Sequence, residues 1–208
     1  MVRNAIGKLF GALLCFGLAA CGQTGIREAV ITPEKNLPRP ARILVYDFAV
    51  SEREVTEYQG IMRQQPTIKD PAERERQIAI DVKNALAGEV VDGLRALGFV
   101  VERASRGTSP VGNELLIDGQ FFTVNEGNPV RRLVGTGTSI VEAQAQAYQG
   151  SDKKKLLDFA THSDSGMHSD VARMAAASGD QVVRYLSEFF AQQGWIRADQ
   201  VRKARISY

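Results

Sequence analysis

The stretch that decides the fold is DPAERERQIAIDVKNALAGEVVDGLRALGFVVER, residues 70–103. Asp70 suits the N-cap of a helix because its carboxylate accepts backbone N–H bonds, and Pro71 suits the first helical position, where no donor is needed. Gly98 is placed to end this helix in the left-handed conformation, and Phe99–Arg103 then predicts a strand. The apolar residues between them recur every three or four positions, which predicts an amphipathic helix that packs on a sheet. They are Ile78, Val82, Leu86, Val90, Leu94 and Leu97.

Further strands are predicted on both sides of this helix. The apolar run Ile43–Val50 predicts a buried first strand, which completes a β-α-β unit. Glu114–Val124 and Leu133–Tyr148 predict a long hairpin, and Leu156–Thr161 predicts a fifth strand. A second amphipathic helix ends near Gly194. We therefore expect an α/β (α+β) fold, a single compact domain whose central mixed sheet of about five strands is covered by two amphipathic helices.

The first 20 residues have the features of a secretory signal. Arg3 and Lys8 precede an apolar run, Leu9–Leu18, that is too short for a bilayer span of about 20 residues. The segment closes on Leu18-Ala19-Ala20-Cys21, which resembles the processing site of bacterial lipoproteins. We predict cleavage before Cys21 and acylation of its thiol. By the same resemblance, Gly22 in place of aspartate favours the periplasmic face of the outer membrane over the inner membrane.

The composition divides the chain into four parts. We predict a signal peptide at residues 1–20, a lipidated cysteine and flexible tether at 21–41, the α/β domain at 42–195 and a basic C-terminal tail at 196–208. The tether is predicted because glycines and prolines are frequent between Gly22 and Pro40. As a flexible chain it would span roughly 25 Å on average.

Charge and cysteine content exclude some classes of function. The net charge is +2, but Arg3 and Lys8 leave with the signal, so the mature chain is near neutral. A nucleic-acid binder needs surplus positive charge, and we expect no nucleic-acid partner. Cys15 also leaves with the signal, so Cys21 has no partner for an intramolecular disulfide. Arg131-Arg132 and the basic tail could contact anionic lipid, cell-wall polymer or an acidic partner, or be solvated charges.

Two groups of residues are candidates for site chemistry. His162, Asp164, His168 and Asp170 are weak metal candidates because zinc accepts imidazole and carboxylate ligands. Their spacing fits no helical H-x-x-x-H motif, so a solvated loop at residues 162–169 is the main interpretation. Zinc retained by the purified domain would decide between them.

Catalytic and cofactor motifs are weaker still. Asp47 and Asp118 lie in predicted strands and could serve as catalytic carboxylates, or face solvent and cap a neighbour. Gly135-Thr136-Gly137 is followed by an alternating, strand-like segment and not by the helix that a dinucleotide site requires. We therefore predict no catalytic residue, no resident cofactor and no enzyme activity.

Three segments carry a family resemblance. They are Ile43-Leu44-Val45-Tyr46-Asp47-Phe48, then Leu116-Ile117-Asp118-Gly119-Gln120-Phe121 before Gly127, and Arg132 with Gly135-Thr136-Gly137-Thr138-Ser139. In this order they resemble the bacterial lipoproteins grouped as domain of unknown function 4410, over roughly residues 42–190. The chain is more distantly similar to the α/β domains of the curli-secretion lipoprotein and of the Tol-system propeller protein.

The resemblance implies no activity for any residue here, but the distant relatives are envelope assembly and interaction modules. The main hypothesis is thus a lipid-anchored periplasmic interaction module of the outer membrane, without catalysis, that binds an envelope protein. One alternative is a small-ligand or metal-binding protein that uses the His162–Asp170 loop beside a sheet edge. A second is a hydrolase of an envelope polymer that uses Asp47 and Asp118.

Overall fold

One sheet and two long helices form the part of the chain that the computed structural model describes, residues 24–31, 34–51, 54–56, 70–127, 138–165 and 170–203. Along the chain the elements are β1 (Thr24–Ile31), β2 (Ile43–Tyr46), β3 (Val55–Thr56), α1 (Pro71–Ala96), β4 (Val101–Ala104), β5 (Leu115–Asn125), β6 (Ile140–Gln149), β7 (Lys154–Asp164) and α2 (Val171–Gln192). A 3₁₀ turn, Ala198–Gln200, follows α2.

The sheet is mixed and has the strand order β1-β7-β6-β5-β2-β4, with β3 beside the far part of β5. The strands β2, β4 and β5 are parallel, whereas β5, β6, β7 and β1 pair antiparallel in succession. This confirms the predicted α/β fold with a mixed sheet, but the described sheet has seven strands and not about five. Of the additional strands, β1 lies in the segment predicted as a tether, and β3 lies between the predicted first strand and the first helix.

Both helices cover the same face of the sheet, where the main apolar core lies. They pack closely because two glycines lie at their crossing. A β-carbon at Gly179 would be 2.8 Å from the Leu86 carbonyl oxygen, and one at Gly93 would be 2.7 Å from a Val183 methyl. α2 continues through Gly179 without a break.

The helix ends confirm the predicted caps. The Asp70 carboxylate accepts a hydrogen bond from the Ala72 N–H at 3.0 Å. At the other end of α1, Gly98 has φ +84°, and the Phe99 N–H donates to the Leu94 carbonyl at 3.4 Å. Gly194 ends α2 with φ +71°. The Trp195 N–H donates to the Phe190 carbonyl at 2.9 Å, which is the equivalent bond at this helix end. Both helices therefore end in Schellman motifs.

The predicted flexible tether is wrong for most of its length. Residues 24–31 form β1, which pairs with β7 from Thr24 opposite Ser163 to Ile31 opposite Leu157. The following segment is also bound to the domain, since the Trp195 indole N–H donates to the Leu37 carbonyl at 2.9 Å. An irregularity between Arg27 and Ala29 interrupts the alternation that would have indicated a strand.

The predicted basic tail is also folded where it is described. Ile196 is buried, and Arg202 lies between the two helices, with its guanidinium 3.3 Å from Glu89 of α1 and 3.0 Å from Asp180 of α2. Its backbone N–H donates to the Ser187 hydroxyl at 3.0 Å. Arg202 therefore forms ion pairs with both helices and is not part of a solvated tail.

Several predictions fall outside the described residues. These are the signal peptide, Cys21, His168, Arg131-Arg132 and Gly135-Thr136-Gly137. Among the residues that are described, no helix has the length and apolar character to cross a membrane.

Candidate interaction surface

The face of β5, β6 and β7 that points away from the helices carries polar side chains. Along β6, buried and partly exposed residues alternate without exception, so that the even-numbered residues from Glu142 to Tyr148 point outward. The register places outward residues of the neighbouring strands beside them. We call the following set the polar face: Gln120, Glu142, Gln144, Gln146, Asp158 and His162.

Asp158 is the centre of one hydrogen-bond network on the polar face. Its carboxylate accepts from the Gln144 amide at 2.6 Å, from the Gln146 amide at 2.9 Å and from the Lys155 ammonium at 2.9 Å. The Tyr148 hydroxyl donates to the Gln146 carbonyl oxygen at 2.7 Å. Burial raises the pKa of Asp158, but the bonds donated by Lys155, Gln144 and Gln146 outweigh it, so the pKa lies below its ordinary value. Asp158 is therefore an ionised, fixed acceptor.

Glu142 is the centre of a second network, nearer the end of β5. Its carboxylate lies 2.9 Å from His162 Nδ1 and accepts from the Thr123 hydroxyl at 3.0 Å and from Arg27 at 3.2 Å. Burial raises the pKa of Glu142, while the bonds from His162 and Thr123 and the nearby charges lower it, with a net lowering. Because Arg27 belongs to β1, the segment predicted as a tether contributes to this network.

A small apolar patch lies beside the polar face, towards β2 and β4. Leu44, Tyr46, Ala104 and Leu116 are buried there, and Tyr148 packs against them. The loop after β4 closes over the patch, since the Tyr46 hydroxyl donates to the Thr108 carbonyl. In the described part of the chain this patch is therefore buried, whereas the polar face is partly exposed.

The candidate catalytic carboxylates are each paired with an arginine. Asp47 lies 2.5 Å from Arg103 Nε, and Asp118 lies 2.9 Å from Arg106 Nη2. Arg106 also donates to the Gly119 carbonyl at 2.8 Å, so it connects the loop after β4 to β5. This arrangement is typical of ion pairs that hold a loop in place.

The candidate metal ligands are only partly brought together. His162 and Asp164 lie in β7 and not in a loop, which corrects the predicted loop at 162–169 for these positions. His162 Nε2 is 3.5 Å from Asp164 Oδ2. Asp170 is instead the N-cap of α2 and accepts from the Arg173 N–H at 2.7 Å. Across the described ranges, no group of three or more His, Cys, Asp or Glu is placed to hold a metal ion.

Part of the polar face could be predicted from the sequence. Glu142, Gln144 and Gln146 alternate with alanine and valine, which predicts one wet face on this strand. Asp158 and Arg27 were missed because each belongs to a different strand, and only the register brings them beside β6.

Comparison with solved structures gives distant likenesses. The PelC dodecamer from Paraburkholderia phytofirmans is 13% identical, covers 77% of this chain and 96% of its own, and has a TM-score of 0.47. A protein of family DUF330 from Xanthomonas campestris is 16% identical, covers 82% of this chain and 92% of its own, and has a TM-score of 0.37. No curated protein matches this chain.

Comparison with protein families gives one match. The family described as "Domain of unknown function (DUF4410)" matches residues 43–169, from β2 through β7, which includes the whole polar face. Since this match covers more than half of the sequence, the chain belongs to the DUF4410 family.

Proposed function

We propose that this protein is a non-catalytic interaction module of the bacterial envelope, anchored by a lipid on Cys21, that binds an envelope protein through the polar face. The observation that carries the proposal is the one-sided sheet. Both helices cover one face, while the other presents ordered amides and carboxylates on β5, β6 and β7. A face of fixed donors and acceptors suits a polar, hydrated protein interface.

The charges on this face favour a protein over a polyanion. Glu142 and Asp158 are balanced by Arg27 and Lys155 at contact distance, so the described residues of this face have no surplus of positive charge for phosphates. Neutralised charges and side-chain amides instead give directional hydrogen bonds, which set specificity more than raw affinity.

The anchor is supported by the sequence alone. The Leu18–Cys21 motif at the end of an apolar segment supports a location in the envelope. The pairing of Asp47 with Arg103 and of Asp118 with Arg106 supports a structural role for these carboxylates, because each already accepts a charge-assisted hydrogen bond from an arginine.

In-cell crosslinking tests the proposal. A photoreactive residue replaces Gln120, which is exposed on the polar face, and the matched control replaces Asp92, whose side chain is 80% exposed on α1. We expect an adduct with a specific envelope protein from position 120 and none from position 92, as identified by mass spectrometry. Equal adducts from both positions, or none from position 120 in acylated protein, would refute this role for the polar face.

A further inference from the structure

β1 begins very close to the predicted anchor. Thr24, the first residue of β1, is only three positions after Cys21, and a fully extended chain of that length reaches about 11 Å. The predicted tether of roughly 25 Å therefore does not exist as free chain, since β1 is paired with β7 along its length.

The register shows which part of the domain this short connection reaches. Thr24 lies opposite Ser163, near the end of β7, and Ser163 lies opposite Val141, near the start of β6. Val141 in turn lies opposite Val124 near the end of β5. We call this end of the sheet the upper end, so the anchor joins the upper corner at β1, which is the outermost strand.

The dimensions of the sheet make the opposite corner remote. β4 is the outermost strand on the other side, five strand spacings from β1, which is about 24 Å at 4.8 Å per spacing. β5 has 11 residues, which gives the sheet a height of about 33 Å. The lower corner beside Val100, where β4 starts, is therefore about 40 Å from the anchored corner.

The segment after β1 cannot relax this constraint while the domain stays folded. Residues 34–40 run along the lower end, where the Gln149 amide donates to the Pro38 carbonyl at 2.9 Å and the Gln193 amide donates to the Glu34 carbonyl at 2.8 Å. Arg39 lies 4.7 Å above the ring of Phe99. The chain from Thr24 onward is thus part of the domain.

We infer that the domain is held against the lipid surface at the upper corner of β1, with the lower corner beside Val100 pointing away from the membrane. The inference rests on the proposed acylation of Cys21. In this orientation the plane of the sheet is steeply inclined to the membrane, so the polar face points along the membrane surface and not towards or away from it. Its partner is then a protein held at the same membrane, and not one that approaches from a distance above it.

Fluorescence quenching tests the orientation in the acylated full chain. A cysteine replaces either Thr138, exposed just before β6 at the upper end, or Val100, which is 66% exposed at the remote corner. The mature chain has no cysteine besides Cys21, so a thiol-reactive fluorophore labels each variant at one site. The protein is reconstituted in phosphatidylcholine vesicles that contain a lipid with a nitroxide headgroup.

We expect quenching of the label at position 138 to be several-fold stronger than at position 100. A flexible insert of about 20 Gly and Ser residues between Gln23 and Thr24, with a span of about 25 Å, should remove this difference. Equal quenching without the insert, or stronger quenching at position 100, would overturn the orientation and leave the crosslinking result intact. A mass spectrum that shows no acyl chain on Cys21 would instead overturn the anchor of the proposed function and the orientation with it.

Discussion

Replacing Gly179 by alanine tests the close helix contact that closes one face of the sheet. A β-carbon at this position would lie 2.8 Å from the Leu86 carbonyl oxygen and 2.9 Å from Glu89 Cβ. Because the nearest atom is backbone, the helices must move apart. Gly88 is the matched control, since it lies in α1 with nothing within 4 Å of the β-carbon position.

The two substitutions have opposite expected signs. Gly88→Ala gains the helix propensity of alanine and should stabilise the fold by about 0.5–1 kcal/mol. Gly179→Ala gains the same propensity but overpacks the interface at a cost of about 1–3 kcal/mol, so the expected net loss is about 1–2 kcal/mol. With a urea m-value of about 2 kcal/mol/M, the midpoint should fall by about 0.5–1 M.

The assay is urea unfolding at 25 °C of residues 21–208 carrying Cys21→Ser, which removes the predicted acylation site. Circular dichroism reports the helices, and fluorescence reports Trp195, the one tryptophan of the chain, which is 6% exposed. Coincident transitions by both probes license the two-state treatment. If Gly179→Ala were as stable as Gly88→Ala, the close approach of α1 and α2 would be wrong.

Three further predictions follow from single contacts. Asp158→Asn should destabilise the fold at pH 7 and less so below about pH 4. The pKa of Asp158 is lowered in the folded state, so its contribution to stability is present above the ordinary carboxyl pKa and is lost as the pH falls through the folded value. A difference in unfolding free energy between variant and parent that does not change with pH would contradict this. Arg202→Met removes the guanidinium that pairs with Glu89 and Asp180, and it should lower the free energy of unfolding by about 1–3 kcal/mol, as measured in urea. A variant as stable as the parent would show that these ion pairs contribute nothing to stability. Trp195→Phe keeps an aromatic ring but loses the indole N–H bond to the segment after β1. Amide hydrogen exchange in residues 34–40 should therefore accelerate, while exchange in β5 stays unchanged. Unchanged exchange in residues 34–40 would refute the role of that bond.

The sequence was informative wherever the signal is local. Asp70, Gly98 and Gly194 set the helix ends through hydrogen bonds within a few residues of each cap, and these positions were predicted correctly. The strands β1 and β3 were missed because their stability comes from pairing with distant parts of the chain. Gly25 and the prolines around β1 indicate a linker by composition, whereas its pairing partners lie on β7.

The candidate site was also predictable only where the signal is local. Outward exposure along β6 follows from an alternating pattern within ten residues and was predictable. The placement of Asp158 between two glutamines depends on the register of β6 with β7, which no local pattern specifies. Asp170 was a candidate ligand by residue type, but its position before Val171 makes it a helix cap.

The family match and the folding unit of this chain are not the same length. The match ends at residue 169, yet α2, which starts at Val171, contributes Val182, Leu186 and Phe189 to the main core. Without α2, the inner faces of β6 and β7 would lose the helix that packs on them, and without β1, β7 would become an outer strand. Residues on both sides of the match are therefore needed to close the fold, and β1 lies in the same sheet as the polar face. Through Arg27, which contacts Glu142, the segment that follows the proposed acylation site also takes part in the face that we propose binds the partner.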